Sequence, residues 1–124
     1  MTISAAARNE ILDHALSVGA WTMPTNLYVQ FHDASPTDAC TTGVIASTSR
    51  QGDTAMNAAA SGATANTSAI THTSMPSCTV SHISLWDAAS SGNPLWFGAL
   101  SSAVSCGSGD TFEIAAGDLD VTLT

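Results

Sequence analysis

The sequence predicts a mainly β fold, an antiparallel β-sandwich or jelly-roll-like domain carrying one short N-terminal α-helix. Three observations lead there. From Leu27 onward apolar residues recur at every second position in seven or eight short runs. Gly, Pro, Asn, Asp and Ser break those runs at regular intervals. Helical periodicity is confined to the beginning of the chain. Residues 1–22 therefore read as a helical N-terminal segment and residues 23–124 as the β-sandwich. Together they make one domain, since 124 residues is a typical single-domain length.

The helix comes first. Ser4 can cap its start, Ala5, Ala6 and Ala7 favour helical backbone, and Gly19 can end it. Ile11, Leu12, Ala15 and Leu16 fall on one stripe, with Glu10, Asp13 and His14 elsewhere. That stripe has to cover something, either the protein's own sheet or a neighbour. Ile11, Leu12 and Leu16 are the candidate docking residues. Pro24 bars further helix, and the period changes to two. Leu27, Val29 and Phe31 point one way, and Tyr28, Gln30 and His32 the other. The string DASPTDAC, residues 33–40, is a loop. Residues 44–51 form a weak strand or extended segment, and Gly52-Asp53 can turn.

Residues 56–67 are small and polar and alone would pass for a linker. A structureless loop of that length is uncommon in a compact domain, so order is expected there. A strand-like pattern resumes over residues 67–73, and Met75-Pro76 closes it. The two strongest strands follow, residues 80–87 and 95–100, within SHISLWDAASSGNPLWFGAL. The loop between them supplies Gly92 and Asn93 for positive φ angles. Leu85, Trp86, Leu95, Trp96 and Phe97 are expected to form a core hairpin. Trp96→Ala should then cost about 3–5 kcal/mol, as for a buried aromatic. Residues 107–110 turn, Phe112 and Ile114 alternate with Glu113, and residues 116–118 turn again. Leu119, Val121 and Leu123 alternate with Asp120, Thr122 and Thr124 in a last strand.

Composition makes the core thin. The hydrophobic fraction is 44%, yet 21 residues are alanine and only 23 are Leu, Ile, Val or Phe, while Ser and Thr number 33. A thin core is commonly supplemented by burial against other subunits, so a homo-oligomer is expected. There is no lysine. Arg8 and Arg50 are the only fixed cations against ten Asp and Glu, for a net charge of −8. That balance argues against nucleic acid and anionic membrane surfaces as partners. It also removes the usual guard of a free sheet edge, so edges must be protected by bulges, Pro, Asp or another chain. The first residues lack the basic and apolar regions of a secretory signal, and no apolar run approaches a membrane span.

Little chemistry is encoded. Cys40, Cys78 and Cys106 have no zinc spacing. They are three free thiols, or one internal disulfide with the odd cysteine left for an intersubunit bond. His14, His72 and His82 show no metal-ligand spacing, and Asp118 and Asp120 are too few for calcium. No G-x-S-x-G, Walker loop or G-x-G-x-x-G is present, and CGSGD reads as a turn. No metal or cofactor is expected. Trp86, Trp96 and Phe97 could stack a sugar, but aromatics in a central hairpin more often fill the core.

Several strings taken together form a pattern. ILDHAL lies in the helix, followed by MPTNLYVQFHDASPTD, the pair Arg50-Gln51, and AASGATANTSAI. The V-x-H-x-x-x-WD-A-A-x-x-G-N-x-L-x-F-G-A-L hairpin and the ending SGDTFEIAAGDLDVTLT complete it. The chain resembles, over nearly its whole length, a family of small structural proteins of tailed bacteriophages labelled tail fibre or minor tail proteins. The resemblance implies a virion component with no catalytic activity, assembled in the host cytoplasm. The expected partners are copies of itself, with a trimer as the candidate form, and other virion proteins such as major capsid or tail proteins. Neighbouring copies would cover strand edges, and cysteines could crosslink subunits after release from the cell. The leading expectation is a decoration or cement protein on the capsid surface, since the chain lacks the repetitive shaft of a fibre. A tail, collar or short fibre component comes second, and a carbohydrate-binding module third.

Overall fold

A computed structural model describes residues 1–52 and 54–123. The parts of the expected Gly52-Asp53 turn and of the last strand that fall on Asp53 and Thr124 lie outside the described residues. The fold is mainly β and antiparallel, with one short N-terminal helix. In chain order the elements are β1 (Thr2–Ile3), α1 (Ala5–Ala15), β2 (Tyr28–His32), β3 (Ala63–Ala65), β4 (Ile70–Met75), β5 (Cys78–Trp86), β6 (Pro94–Cys106), β7 (Asp110–Ile114) and β8 (Asp120–Thr122). A four-stranded sheet has the order β1-β6-β5-β2, and two two-stranded ribbons, β3-β8 and β4-β7, complete the fold.

The helix starts where a short polar side chain can satisfy its first N–H groups. Ser4 Oγ accepts from Ala7 N at 3.1 Å and donates to Pro94 O at 2.6 Å, while Ser4 N donates to Leu95 O at 2.8 Å. The cap is therefore also the weld between α1 and β6. The helix ends earlier than the expected Gly19. Ser17 takes the left-handed conformation, with φ of 62°, and Val18 N donates to Asp13 O at 2.8 Å. That closes the last turn as a C-terminal cap does, with serine in the place glycine usually holds. The helical reading of residues 1–22 also missed β1, which pairs Thr2 with Phe97 and Ile3 with Trp96. Two residues carry no periodicity, and only the presence of β6 makes them a strand.

The long hairpin β5–β6 is the centre of the sheet. Its loop is tied by Asp87, whose carboxylate accepts from Asn93 N at 2.7 Å. Gly92 has φ of +73°, and a Cβ there would lie 2.4 Å from the Asp87 carboxylate, so glycine is required. β2 pairs with β5 in the register Val29↔Leu85 and Phe31↔Ile83. These side chains face the ribbons. Phe112 of β7 meets the Phe31 ring edge-on at 5.0 Å, and His72 of β4 does so at 5.7 Å. Val29, Phe31, Met75, Val80, Ile83, Leu85, Leu95, Phe112, Leu119 and Val121 belong to one buried apolar cluster.

The 56–67 stretch is ordered by pairing, as its length suggested. Its last residues make β3, which runs antiparallel to β8. Asn66 is then the clamp. It is buried, donates through Nδ2 to Ser68 O at 2.8 Å and Ala115 O at 3.0 Å, and accepts through Oδ1 from Gly117 N at 3.0 Å and Leu119 N at 2.9 Å. One side chain thus uses its full hydrogen-bonding capacity to fix the turn between β7 and β8.

The opposite face of β2 and β5, where Tyr28, Gln30 and His32 alternate with the apolar residues, is largely buried as well. Gln30, His32, Ser84 and Trp86 are all buried. The reason is the segment 33–51, which folds back over them. It joins the outer edge of β2 through Val29↔Gln51 and His32↔Val44 bridges. This covers one sheet edge without lysine.

Candidate interaction surface

On that covered face the polar side chains form a directed chain. His32 Nδ1 lies 2.8 Å from Thr42 O, which can only accept, so Nδ1 carries the proton. His32 Nε2, then an acceptor, receives the Ser84 hydroxyl at 2.7 Å, and Ser84 Oγ in turn accepts from Trp86 Nε1 at 2.8 Å. Arg50 lies 3.6 Å above the Trp86 ring and donates to Ala88 O at 2.8 Å and Ser91 O at 2.7 Å. Burial holds the His32 pKa below its ordinary value, with the bond to Thr42 O opposing.

A serine hydroxyl on an imidazole is also the pairing of a Ser–His nucleophile. Here Ser84 is 0% exposed, and its oxygen is already taken by the Trp86 indole. The far nitrogen of the histidine meets a backbone carbonyl rather than a carboxylate. The arrangement orders the core and offers no approach to a substrate. The other histidines are separate. His14 Nδ1 accepts from Trp21 N, His82 Nδ1 lies 2.8 Å from Ser81 Oγ, and His72 packs on Phe31. Among the described residues no group of three His, Cys, Asp or Glu is placed to hold a metal ion.

The expected docking residues lie at the other end of the sheet. Ala7 is the residue of α1 that is fully buried, and Ile11 is half-buried. Leu12 is 57% exposed and Leu16 69% exposed. The stripe therefore points away from the protein's own core. Sequence reasoning stopped it at the helix end, but the chain continues with Val18 and Met23, exposed by 74% and 84%. No described helix is long and apolar enough to cross a membrane.

A second uncovered feature is the outer edge of β6. β1 pairs only with Trp96 and Phe97, and among the described residues no strand pairs with that edge beyond them. Residues 99–105 are mostly exposed, and they include neither Pro, Asp nor Lys. The guard that this edge does carry is the ladder irregularity between Ala99 and Val104.

The hairpin side chains divide in depth. Leu85, Trp86 and Leu95 are buried, whereas Trp96 and Phe97 are only half-buried, which corrects their placement in the core. β6 lies next to the short β1, too small to cover them. Trp96 donates through Nε1 to Thr122 O at 3.3 Å and lines a groove of about 270 Å³ with Leu27, Met56, Leu95, Val121 and Leu123. Thr64 is the one polar side chain in that lining. A larger cleft of about 600 Å³ carries Glu113, Asp118 and Asp120 beside Phe112 and Leu119.

The three cysteines are thiols. Cys40 is 0% exposed, and burial, followed by the nearby Asp38, pushes its pKa up to about 11. Cys78 and Cys106 stand directly opposite each other on β5 and β6.

The family described as podophage GP4 fiber I protein gp80 matches this chain over residues 2–122. No curated protein matches it. With the match spanning nearly the full length, the chain belongs to this family of tailed-phage fibre proteins and is a virion-associated structural protein.

Proposed function

We propose that this virion protein is a non-enzymatic building block of the phage fibre apparatus. It acts as one domain, and its copies associate with one another and with neighbouring virion proteins through the α1 face and the open edge of β6. The observation that carries this reading is the pair of unfinished surfaces. Leu12 and Leu16 leave an apolar stripe uncovered, and β6 leaves ladder groups unpaired with no charged or proline guard. A chain with a thin core gains stability by burying such surfaces against another copy. The fibre location is supported by the family match. A shell decoration protein would use the same surfaces and is distinguished by copy number. A sugar-binding role finds less support, because the groove beside Trp96 offers a single polar side chain, whereas sugars need several convergent polar groups.

The test is self-association of the isolated protein, read by sedimentation. The wild type should form a defined oligomer. Leu12→Asp with Leu16→Asp, or Val104→Lys on the open edge, should shift it toward monomer. At dilutions where both proteins are monomeric the thermal transitions should nearly coincide, because substitutions at exposed positions change stability by about 0.5 kcal/mol or less, whereas at high concentration the wild type should melt higher. A wild type that stays monomeric at high concentration refutes self-association.

A further inference from the structure

We propose that Cys78 and Cys106 are a disulfide site, a covalent staple between β5 and β6 that forms once the protein leaves a reducing compartment, with Cys40 remaining a thiol. The two residues are Cα partners in the β5–β6 ladder. Directly opposed residues in an antiparallel pair have Cα atoms about 4.5–5.5 Å apart, within the roughly 4.4–6.8 Å span that a disulfide bridges. The partnership depends on a local irregularity. The register that holds from His82↔Ala99 to Leu85↔Trp96 would, if continued, set Cys78 opposite Ala103. A shift between Val80 and His82 moves the β6 partner to Cys106.

Access and location suit the reaction. Cys78 is half-buried, so a small oxidant reaches it, while Cys106 is buried behind it. Burial and then the adjacent Cys106 thiol raise the Cys78 pKa, which makes the step slow at neutral pH. Cys40 has no exposed surface and its thiol is held neutral, so it neither competes nor reaches another subunit.

The oxidant is a low-molecular-weight disulfide such as oxidised glutathione. The Cys78 thiolate attacks one of its sulfurs, the S–S bond breaks, and one glutathione leaves as thiolate and takes up a proton. The Cys106 thiolate then attacks the Cys78 sulfur and releases the second glutathione. Two protein thiols are oxidised, one glutathione disulfide is reduced to two thiols, and the protein loses two hydrogens. The bond closes the residues between 78 and 106 into a loop, fixing the open end of the hairpin where residues 101–105 of β6 are exposed.

The test incubates the purified, folded protein with oxidised glutathione and maps its cysteines by alkylation in denaturant and peptide mass spectrometry. The expected result is a fall from three alkylatable thiols to one, at Cys40, with a Cys78–Cys106 cross-linked peptide and a mass about 2 Da lower. The oxidised form should melt roughly 10 °C above the reduced form. Cys40→Ser should retain the staple. Cys78→Ser, at the half-buried position, should abolish both the cross-link and the melting difference. A glutathione adduct resting on Cys78 without an internal bond, three unreacted thiols, or disulfide-linked dimers on a non-reducing gel would each overturn the proposal.

Discussion

Replacing Trp86 by alanine should destabilise the protein about twice as much as the same change at Trp96. Both side chains lie in the hairpin and carry an indole N–H bond, so composition and motif do not separate them. Their surroundings do. Trp86 is 7% exposed and enclosed by Ser84, Arg50 and the 33–51 segment. A buried tryptophan removes about 150–250 Å² from water, worth about 4–6 kcal/mol at 25 cal/mol per Å². The unfolded chain already hides part of that area, which brings the loss to about 4 kcal/mol, within the range for large-to-small aromatic changes. Truncation there also strands Ser84 Oγ without its indole donor and Arg50 without its ring. Trp96 instead forms the wall of an open groove. Its removal widens a space that water already meets, so no closed cavity forms, and water can replace its bond to Thr122 O. About 2 kcal/mol is expected. Urea unfolding monitored by far-UV circular dichroism measures both, with unchanged slopes showing that midpoint shifts report stability. Equal losses, or a larger loss at Trp96, would refute the division of the hairpin into a buried and an open tryptophan.

Two further outcomes follow from the buried polar groups. His32 is held neutral by burial, with a folded pKa below its ordinary 6.5. Between those two values the unfolded chain binds the extra proton, so stability is complete above pH 6.5 and declines as the pH falls below it toward the folded pKa. Denaturant midpoints measured across that window should fall with acidification, and a midpoint rising on acidification would contradict the hydrogen-bond assignment. Asn66→Ala should cost about 2–3 kcal/mol, because it strands the buried Leu119 N–H and takes the amide donor from Ser68 O, while Gly117 N keeps Asn66 O and Ala115 O keeps Asp118 N. A thermal melt within a degree or two of wild type would show that the clamp is not used.

The sequence carried the local features well and the long-range ones poorly. Ser4 as cap, the alternation of Val29 and Phe31, and the two strands of the central hairpin are written in neighbouring residues, and each is present in the fold. The burial of Gln30 and His32 is not written there. Polar residues alternating with apolar ones look solvated until another segment folds over them, and nothing in residues 42–51 indicates that they cover that face. Asn66 sits in a stretch of small residues, where one asparagine among alanines and serines gives no sign of reaching residues 115–119. The opposition of Cys78 and Cys106 was hidden by the ladder irregularity, because a constant register predicts a different partner. Of the surface features, the α1 stripe was legible from its spacing. The open edge of β6 was legible only as an expectation that some edge lacked lysine.

Copy number in purified particles, by quantitative mass spectrometry against the major capsid protein, tests the central claim most directly. A fibre building block should be present at a few per cent of the major capsid protein. A ratio near one, or a simple fraction of it, would move the protein to the shell as a decoration protein and contradict the fibre assignment. Its absence from particles would contradict a virion role altogether.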